Sequence, residues 1–253
     1  MLSKSQIKII RSLHQKKFRD KEKLFIAEGP KVVSELLCSP FTVRELFSTD
    51  VSAISSPDFN VTKISDKELE QMSALSAPNQ VLGVFEILQP ELKINRLKEK
   101  LVLALDDLRD PGNLGTVIRV ADWFGINDIL CSHNCVDVYN PKVVQSTMGS
   151  LARVAVYYCD LESVLQNLSP VYATVLNGKN VYAEKLSDKG VILIGNESHG
   201  ISAELLSKVT HAQAISIPNF SPKADSLNAA IATSIFCSEF RRRFPLQQKN
   251  MNE

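Results

Sequence analysis

Leu101-Val-Leu-Ala-Leu105, running into Asp106-Asp-Leu-Arg-Asp-Pro-Gly-Asn113-Leu-Gly115-Thr-Val-Ile-Arg119-Val-Ala-Asp-Trp-Phe-Gly125, is the stretch that decides the fold. Five successive apolar residues read as a strand buried on both faces. Asp110-Pro-Gly112 is a turn signal, and Asn113 is the expected cap of the helix that follows. Leu114, Val117, Ile118, Ala121 and Phe124 recur at helical spacing as a buried stripe, and Arg119 lies off it. Further short apolar runs follow at Asp128–Cys131, Val154–Tyr157, Val171–Leu176, Val191–Gly195 and Ala214–Ile217, with helical segments between them. This alternation predicts an α/β domain with a parallel sheet covered on both faces. In such sheets ligands sit beyond the carboxyl ends of the strands, so the loops after the strands are where chemistry is sought.

Upstream lies a smaller α/β unit. Lys23–Ala27, Thr42–Phe47, Val61–Ile64 and Val81–Leu88 read as strands. Pro30–Leu37 reads as a helix opened by proline, and Ser65–Ala74 as one opened by the capping-box spacing Ser65…Glu68. Residues 89–100 are charged and begin Gln-Pro. The expected division is therefore an N-terminal domain at 1–92, a linker at 93–100 and a second domain at 101–253.

Over the whole chain, 29 Lys and Arg meet 28 Asp and Glu, so bulk charge implies no nucleic-acid partner. Locally the balance differs: residues 1–31 hold nine lysines and arginines against three carboxylates. Ile7, Ile10 and Leu13 suit an amphipathic helix over residues 1–20 with a basic outer face. That face is either a phosphate contact through residues such as Lys16, Lys17 and Arg19, or a solvated surface. Arg241-Arg-Arg243 offers the same pair of readings, the second being a cationic helix end matched to the dipole.

Composition excludes other classes. With 44% hydrophobic and 23% charged residues the chain is not mostly disordered. No run reaches bilayer length and the N-terminus lacks a signal-peptide pattern, so a cytoplasmic protein is expected. Five scattered cysteines make no disulfide framework. Cys131-Ser-His133-Asn-Cys135 lacks the four ligands of a structural zinc site, and His-Glu-x-x-His is absent, so no metal is expected.

Two more loops carry chemistry. After Val191–Ile194 comes Gly195-Asn-Glu197-Ser-His-Gly200, whose glycines let the backbone approach a ligand while Glu197 faces it. After Ala214–Ile217 comes Pro218-Asn-Phe-Ser-Pro-Lys-Ala-Asp-Ser226-Leu227-Asn228, a loop stiffened by Pro218 and Pro222 that feeds a small-residue helix with Ser226 as its expected cap.

In this order the three segments resemble the motifs of the SpoU (TrmH) family of SPOUT-class RNA methyltransferases: Asp-Pro-Gly-Asn-Leu-Gly-x-x-x-Arg at Asp110–Arg119, Gly-x-Glu-x-x-Gly at Gly195–Gly200, and Ile217-Pro218 followed by Ser226-Leu-Asn228. Tyr139–Ser150 is similar to the family's intervening segment, and Leu24–Lys31 to part of its RNA substrate-binding domain. The resemblance implies methyl transfer from S-adenosylmethionine to a ribose 2′-hydroxyl of ribosomal or transfer RNA. It also implies a C-terminal trefoil knot, a rare exception to unthreaded chains, and a homodimer. By position, Thr174, Leu176, Gly195, Ile217 and Leu227 would hold the cofactor, largely through backbone. Arg119 matches the arginine often given the role of general base. Because a guanidinium stays charged, Arg119 is instead expected to hold a substrate phosphate and stabilise the developing oxyanion, with Asn113, Glu197, Ser226 and Asn228 positioning it and the ribose. Lys16, Lys17 and Arg19 become expected RNA contacts. Two rivals remain: a non-catalytic RNA-binding or ribosome-assembly protein on the same fold, and a nucleotide-linked oxidoreductase, which would need a phosphate loop after the first strand.

Overall fold

A computed structural model describes residues 2–54, 59–221, 223 and 225–244. The chain divides into two compact units: Met1–Gln89 with Asp137–Arg153, and Pro90–Val136 with Val154–Glu253. The first unit begins with α1 (Lys4–Ser12), α2 (Lys16–Glu22), β1 (Leu24–Glu28), α3 (Pro30–Leu37), β2 (Val43–Ser48), β3 (Thr62–Lys63), α4 (Asp66–Met72) and β4 (Val81–Glu86). The second holds α5 (Ile94–Leu97), β5 (Leu101–Leu105), α6 (Pro111–Trp123) and β6 (Asp128–Cys131). α7 (Pro141–Ser146) returns to the first unit. β7 (Ala155–Tyr158), α8 (Leu161–Leu165), β8 (Val171–Asn180), β9 (Gly190–Ile194), α9 (Ala203–Lys208), β10 (Gln213–Ser216) and α10 (Ala229–Arg243) complete the second.

The first unit is a four-stranded sheet in the order β1-β4-β2-β3, with β1 and β2 antiparallel to β4. Ile10, Leu13, Ile26, Phe47, Leu69, Met72, Leu82 and Val84 form a core. The capping box opens α4 as its spacing predicts: the Ser65 amide donates to Glu68 Oε2 at 2.9 Å. The single basic helix expected over 1–20 is two helices, because Leu13 is fully buried and His14 Nε2 bonds the Met72 carbonyl at the corner between them. Within α2, Arg19 is 2% exposed. Its Nη1 donates to the Leu13 and His14 carbonyls at 2.8 and 2.9 Å, and its Nε and Nη2 donate to Asp137 at 3.1 and 2.6 Å. It is a packing element and offers nothing to RNA; Lys16 and Lys17 remain exposed.

Residues 137–153 correct the expected division, which leaves them in the second domain. Besides the Arg19–Asp137 pair, the Tyr139 ring lies 4.6 Å from that of Phe25. Gly149 backs onto Glu35 so closely that a Cβ there would lie 2.6 Å from its Cγ. These contacts bridge sequence separations of more than a hundred residues, beyond the reach of local patterning.

In the second unit all six strands are parallel, in the order β10-β8-β9-β5-β6-β7. β5 and β9 are buried at every position, as continuous apolar runs demand. β8 extends past the expected Leu176 to Asn180, and its ladder with β10 jumps from Ala214–Ala173 to Ile215–Lys179. Residues 174–178 therefore bulge out of the ladder at the carboxyl end of the sheet. α6 and α10 pack side by side and run the same way, since Asn228 bonds Asn113 near their starts and Arg241 bonds the Phe124 carbonyl at 2.7 Å past the end of α6. Arg243 donates to the Val181, Tyr182 and Glu184 carbonyls, and Arg242 and Arg243 hold the Glu239 carboxyl down at about 2. The Arg241–Arg243 run is thus committed to folding. Pro222, expected to stiffen the loop before α10, lies outside the described residues.

Candidate active site

The carboxyl ends of β8, β9 and β10 enclose a cavity of about 810 Å³, within the range of small-molecule sites. Thr174 and Leu176 come from the bulge in β8, Gly195 and Glu197 from the loop after β9, and Ile217, Ser226 and Leu227 from the segment between β10 and α10. All five residues expected to hold a cofactor therefore share one wall system. Asn196, His199 and Phe220 line it as well and were not anticipated. Leu176, Leu227 and Phe220 are 72%, 49% and 95% exposed, so the wall offers large apolar faces to whatever enters it.

The loop after β9 is folded on itself. Asn196 and Gly200 exchange backbone hydrogen bonds at 2.9 and 3.0 Å, and Asn196 Nδ2 donates to the Asp107 carbonyl at 2.7 Å. Gly195 is required by this closure, because a Cβ would lie 2.1 Å from the Gly200 carbonyl carbon and the Ile201 nitrogen. The result is a wall made largely of main chain, with Glu197 projecting from it.

Asn113 joins the three segments. Asn113 Nδ2 donates to Glu197 Oε1 at 2.8 Å, and Asn228 Nδ2 donates to Asn113 Oδ1 at 2.9 Å. The caps differ from expectation in a way that makes this line possible. Asp110, not Asn113, caps α6: its Oδ1 accepts from the Asn113 amide at 2.8 Å, with Pro111 at the first helical position. Asn228, not Ser226, caps α10: its Oδ1 accepts from the Ala230 and Ile231 amides. Asn113 is thereby freed to use both ends of its side chain, and Ser226 keeps a hydroxyl at the cavity wall. Glu197 Oε2 makes no hydrogen bond among the described residues.

Arg119 is exposed on α6, with no hydrogen bond or ion pair among the described residues, and it does not line the cavity of its own chain. Trp123, one turn further along, is 86% exposed.

A parallel α/β unit with a main-chain cradle at its strand ends, and an Asn–Asn–Glu line joining three separate segments beside it, has the form of a small-molecule cofactor site. Family comparison then places it: the SpoU rRNA methylase family matches residues 100–238, and the chain belongs to that family. Residues 4–83 match the MRM3-like substrate binding domain. The chain is similar to a Bacillus subtilis 23S rRNA (guanosine(2553)-2′-O)-methyltransferase, RlmP, with 31% identity over 93% of this chain and 96% of that protein. It is 26% identical to the mitochondrial rRNA methyltransferase 3 of Xenopus laevis, over 93% of this chain and 73% of that one. Among solved structures, a TrmH-family protein from Porphyromonas gingivalis superposes with a TM-score of 0.85 at 38% identity, covering 96% and 99% of the two chains. An AdoMet-bound rRNA methyltransferase from Sinorhizobium meliloti gives 0.83 at 31% identity, covering 96% of each.

Proposed function

We propose that this protein transfers the methyl group of S-adenosylmethionine to a ribose 2′-hydroxyl of ribosomal RNA. The observation that carries the reading is the line Asn228–Asn113–Glu197, which ties the three family segments together at the edge of the backbone-walled cavity. The names of the relatives, both rRNA methyltransferases, favour ribosomal over transfer RNA. The intact line disfavours a non-catalytic assembly factor, which has no use for a built site. The segment after β5 turns through Asp110-Pro-Gly112 with no phosphate-binding glycine pattern, which disposes of the oxidoreductase.

The residues present fit the cofactor. The Gly195 cradle admits close main-chain contacts, Leu176 and Leu227 offer apolar faces, and Thr174, Gly195 and Ile217 set the walls. When bound, S-adenosylmethionine supplies an activated methyl carbon, so the chemistry asks no metal of the chain. What remains for the protein is alignment and charge stabilisation. Glu197, oriented by Asn113, has Oε2 open to a ribose hydroxyl. The Asn113–Asn228 hydrogen bond holds the third segment beside it, with Ser226 at the cavity wall. Arg119 stabilises the 2′-oxygen as its proton leaves and holds the neighbouring phosphate.

The reading includes a homodimer, a C-terminal trefoil knot and a cytoplasmic location. Supporting the knot, β10 lies beyond β8 at the sheet edge while α10 crosses back to pack on α6. Supporting the dimer, Trp123 and Ile231 (53% exposed) present bare apolar surface on α6 and α10, and Arg119 sits off the wall of its own cavity. Trp123 is the only tryptophan, so its emission reports on burial directly. Trp123→Asp is expected to halve the mass measured by sedimentation equilibrium. Among the described residues, no helix is long and apolar enough to cross a membrane.

Labelled methyl transfer to purified ribosomal RNA, with mapping of 2′-O-methyl sites in RNA from cells with and without the protein, tests the function; no transfer and no missing site would refute it. The N-terminal unit would hold the RNA. Replacing Lys16 and Lys17 together by Gln is expected to weaken RNA binding and flatten the slope of log affinity against log salt by about 1–2. Identical slopes would show that these lysines are only a solvated face.

A further inference from the structure

Asp107, the second residue after β5, has a role that the Asn–Asn–Glu line does not absorb. Its backbone sits in the left-handed region at φ 55°, a conformation Asp tolerates better than most residues. It is pinned there because its amide donates to Ser132 Oγ at 2.9 Å and its carbonyl accepts from Asn196 Nδ2. The carboxylate is thereby aimed in a fixed direction. One oxygen accepts from Arg109 Nε at 2.8 Å, and the other lies 3.4 Å from His199 Nε2 on the cavity wall. Asp107 is only 8% exposed, whereas the side chains of Arg109 and His199 are 69% and 55% exposed.

The pairing takes Arg109 by its Nε alone. Both η nitrogens make no hydrogen bond among the described residues, so the Nη1–Nη2 edge is left able to form two parallel bonds with a phosphate. The neighbouring carboxylates are already committed: Asp106 Oδ2 accepts from the Ser202 amide at 2.8 Å, Asp110 caps α6, and Glu197 Oε1 is held by Asn113. Arg109 is therefore a cation anchored, through Asp107, next to His199 of the cavity wall, with its η nitrogens open.

We propose that Arg109 receives a second backbone phosphate of the RNA, distinct from the one assigned to Arg119, and that Asp107 is the positioning residue that holds it beside His199 of the cavity wall. This deepens the methyltransferase reading and rests on it. The cavity binds the donor, and Arg109 sets where the strand enters.

Steady-state kinetics and calorimetry on the full chain test the assignment with Arg109→Gln, Arg109→Lys and Asp107→Asn; Asn also tolerates a positive φ, which protects the fold. Arg109→Gln is expected to raise KM for RNA about tenfold and flatten its salt slope by about one. The Kd for S-adenosylmethionine and the Tm should stay at parental values. Arg109→Lys should restore the salt slope but only part of the KM, since charge returns without the fork. Asp107→Asn should raise KM for RNA about threefold with the slope kept. An unchanged KM and slope in Arg109→Gln, or an equal loss of cofactor affinity, would overturn the proposal. If the parent protein itself does not bind S-adenosylmethionine, the reading of the cavity fails instead, which the calorimetry shows separately.

Discussion

Replacing Arg119 by Lys is expected to lower kcat by about 10²–10³-fold, the cost typical of removing one preorganised stabiliser of a developing oxyanion. Binding of S-adenosylmethionine should be untouched, because Arg119 does not line the cavity. Lysine keeps the charge but gives a point cation on a flexible stem in place of a planar fork. The side chain has no protein partner to hold it among the described residues, so in the proposed reaction its geometry would come from the guanidinium meeting two oxygens at once, one of a phosphate and the ribose 2′-oxygen. Single-turnover transfer of labelled methyl to RNA separates this from a change in product release. Near-parental single-turnover rates with unchanged pH dependence would show that planar geometry is not required.

The part of the site that sequence revealed is the part written in consecutive residues. Leu101–Leu105 and Val191–Ile194 are buried runs that fix a parallel sheet, and the glycines of Gly195–Gly200 announce a close main-chain approach. Where two local signals compete, the sequence alone does not choose between them. Asp110 and Asn113 are both good caps, and Pro111 at the first helical position was the signal favouring Asp110. The same ambiguity hid Asn228 behind Ser226. Asn177-Gly-Lys-Asn180 looks like a loop by composition, yet these residues stay in β8, where Gly178 lets Ile215 pass: a Cβ there would lie 2.5 Å from the Ile215 carbonyl carbon. Arg19 was unreadable for a different reason. Its partner Asp137 is 118 residues away, and nothing in a basic helix says which of its cations turns inward.

Gly195→Ala should raise the Kd for S-adenosylmethionine by at least about 100-fold, measured by calorimetry, while the first unit keeps its structure. A methyl group at this position cannot be relieved by moving a side chain, since its three nearest neighbours are backbone: the Gly200 carbonyl carbon and oxygen and the Ile201 nitrogen, at 2.1–2.5 Å. Either the Asn196–Gly200 closure opens, or the 195–200 loop shifts as a body into the cavity. Both take Glu197 away from Asn113. Parental affinity would mean that the loop does not form the donor wall. The variant also decides where Arg119 acts. In the proposed homodimer, mixing Gly195→Ala and Arg119→Lys chains leaves no working site if the guanidinium serves its own cavity. One serving the other protomer's cavity leaves one intact site, so recovery of turnover on mixing two inactive proteins identifies action across the dimer.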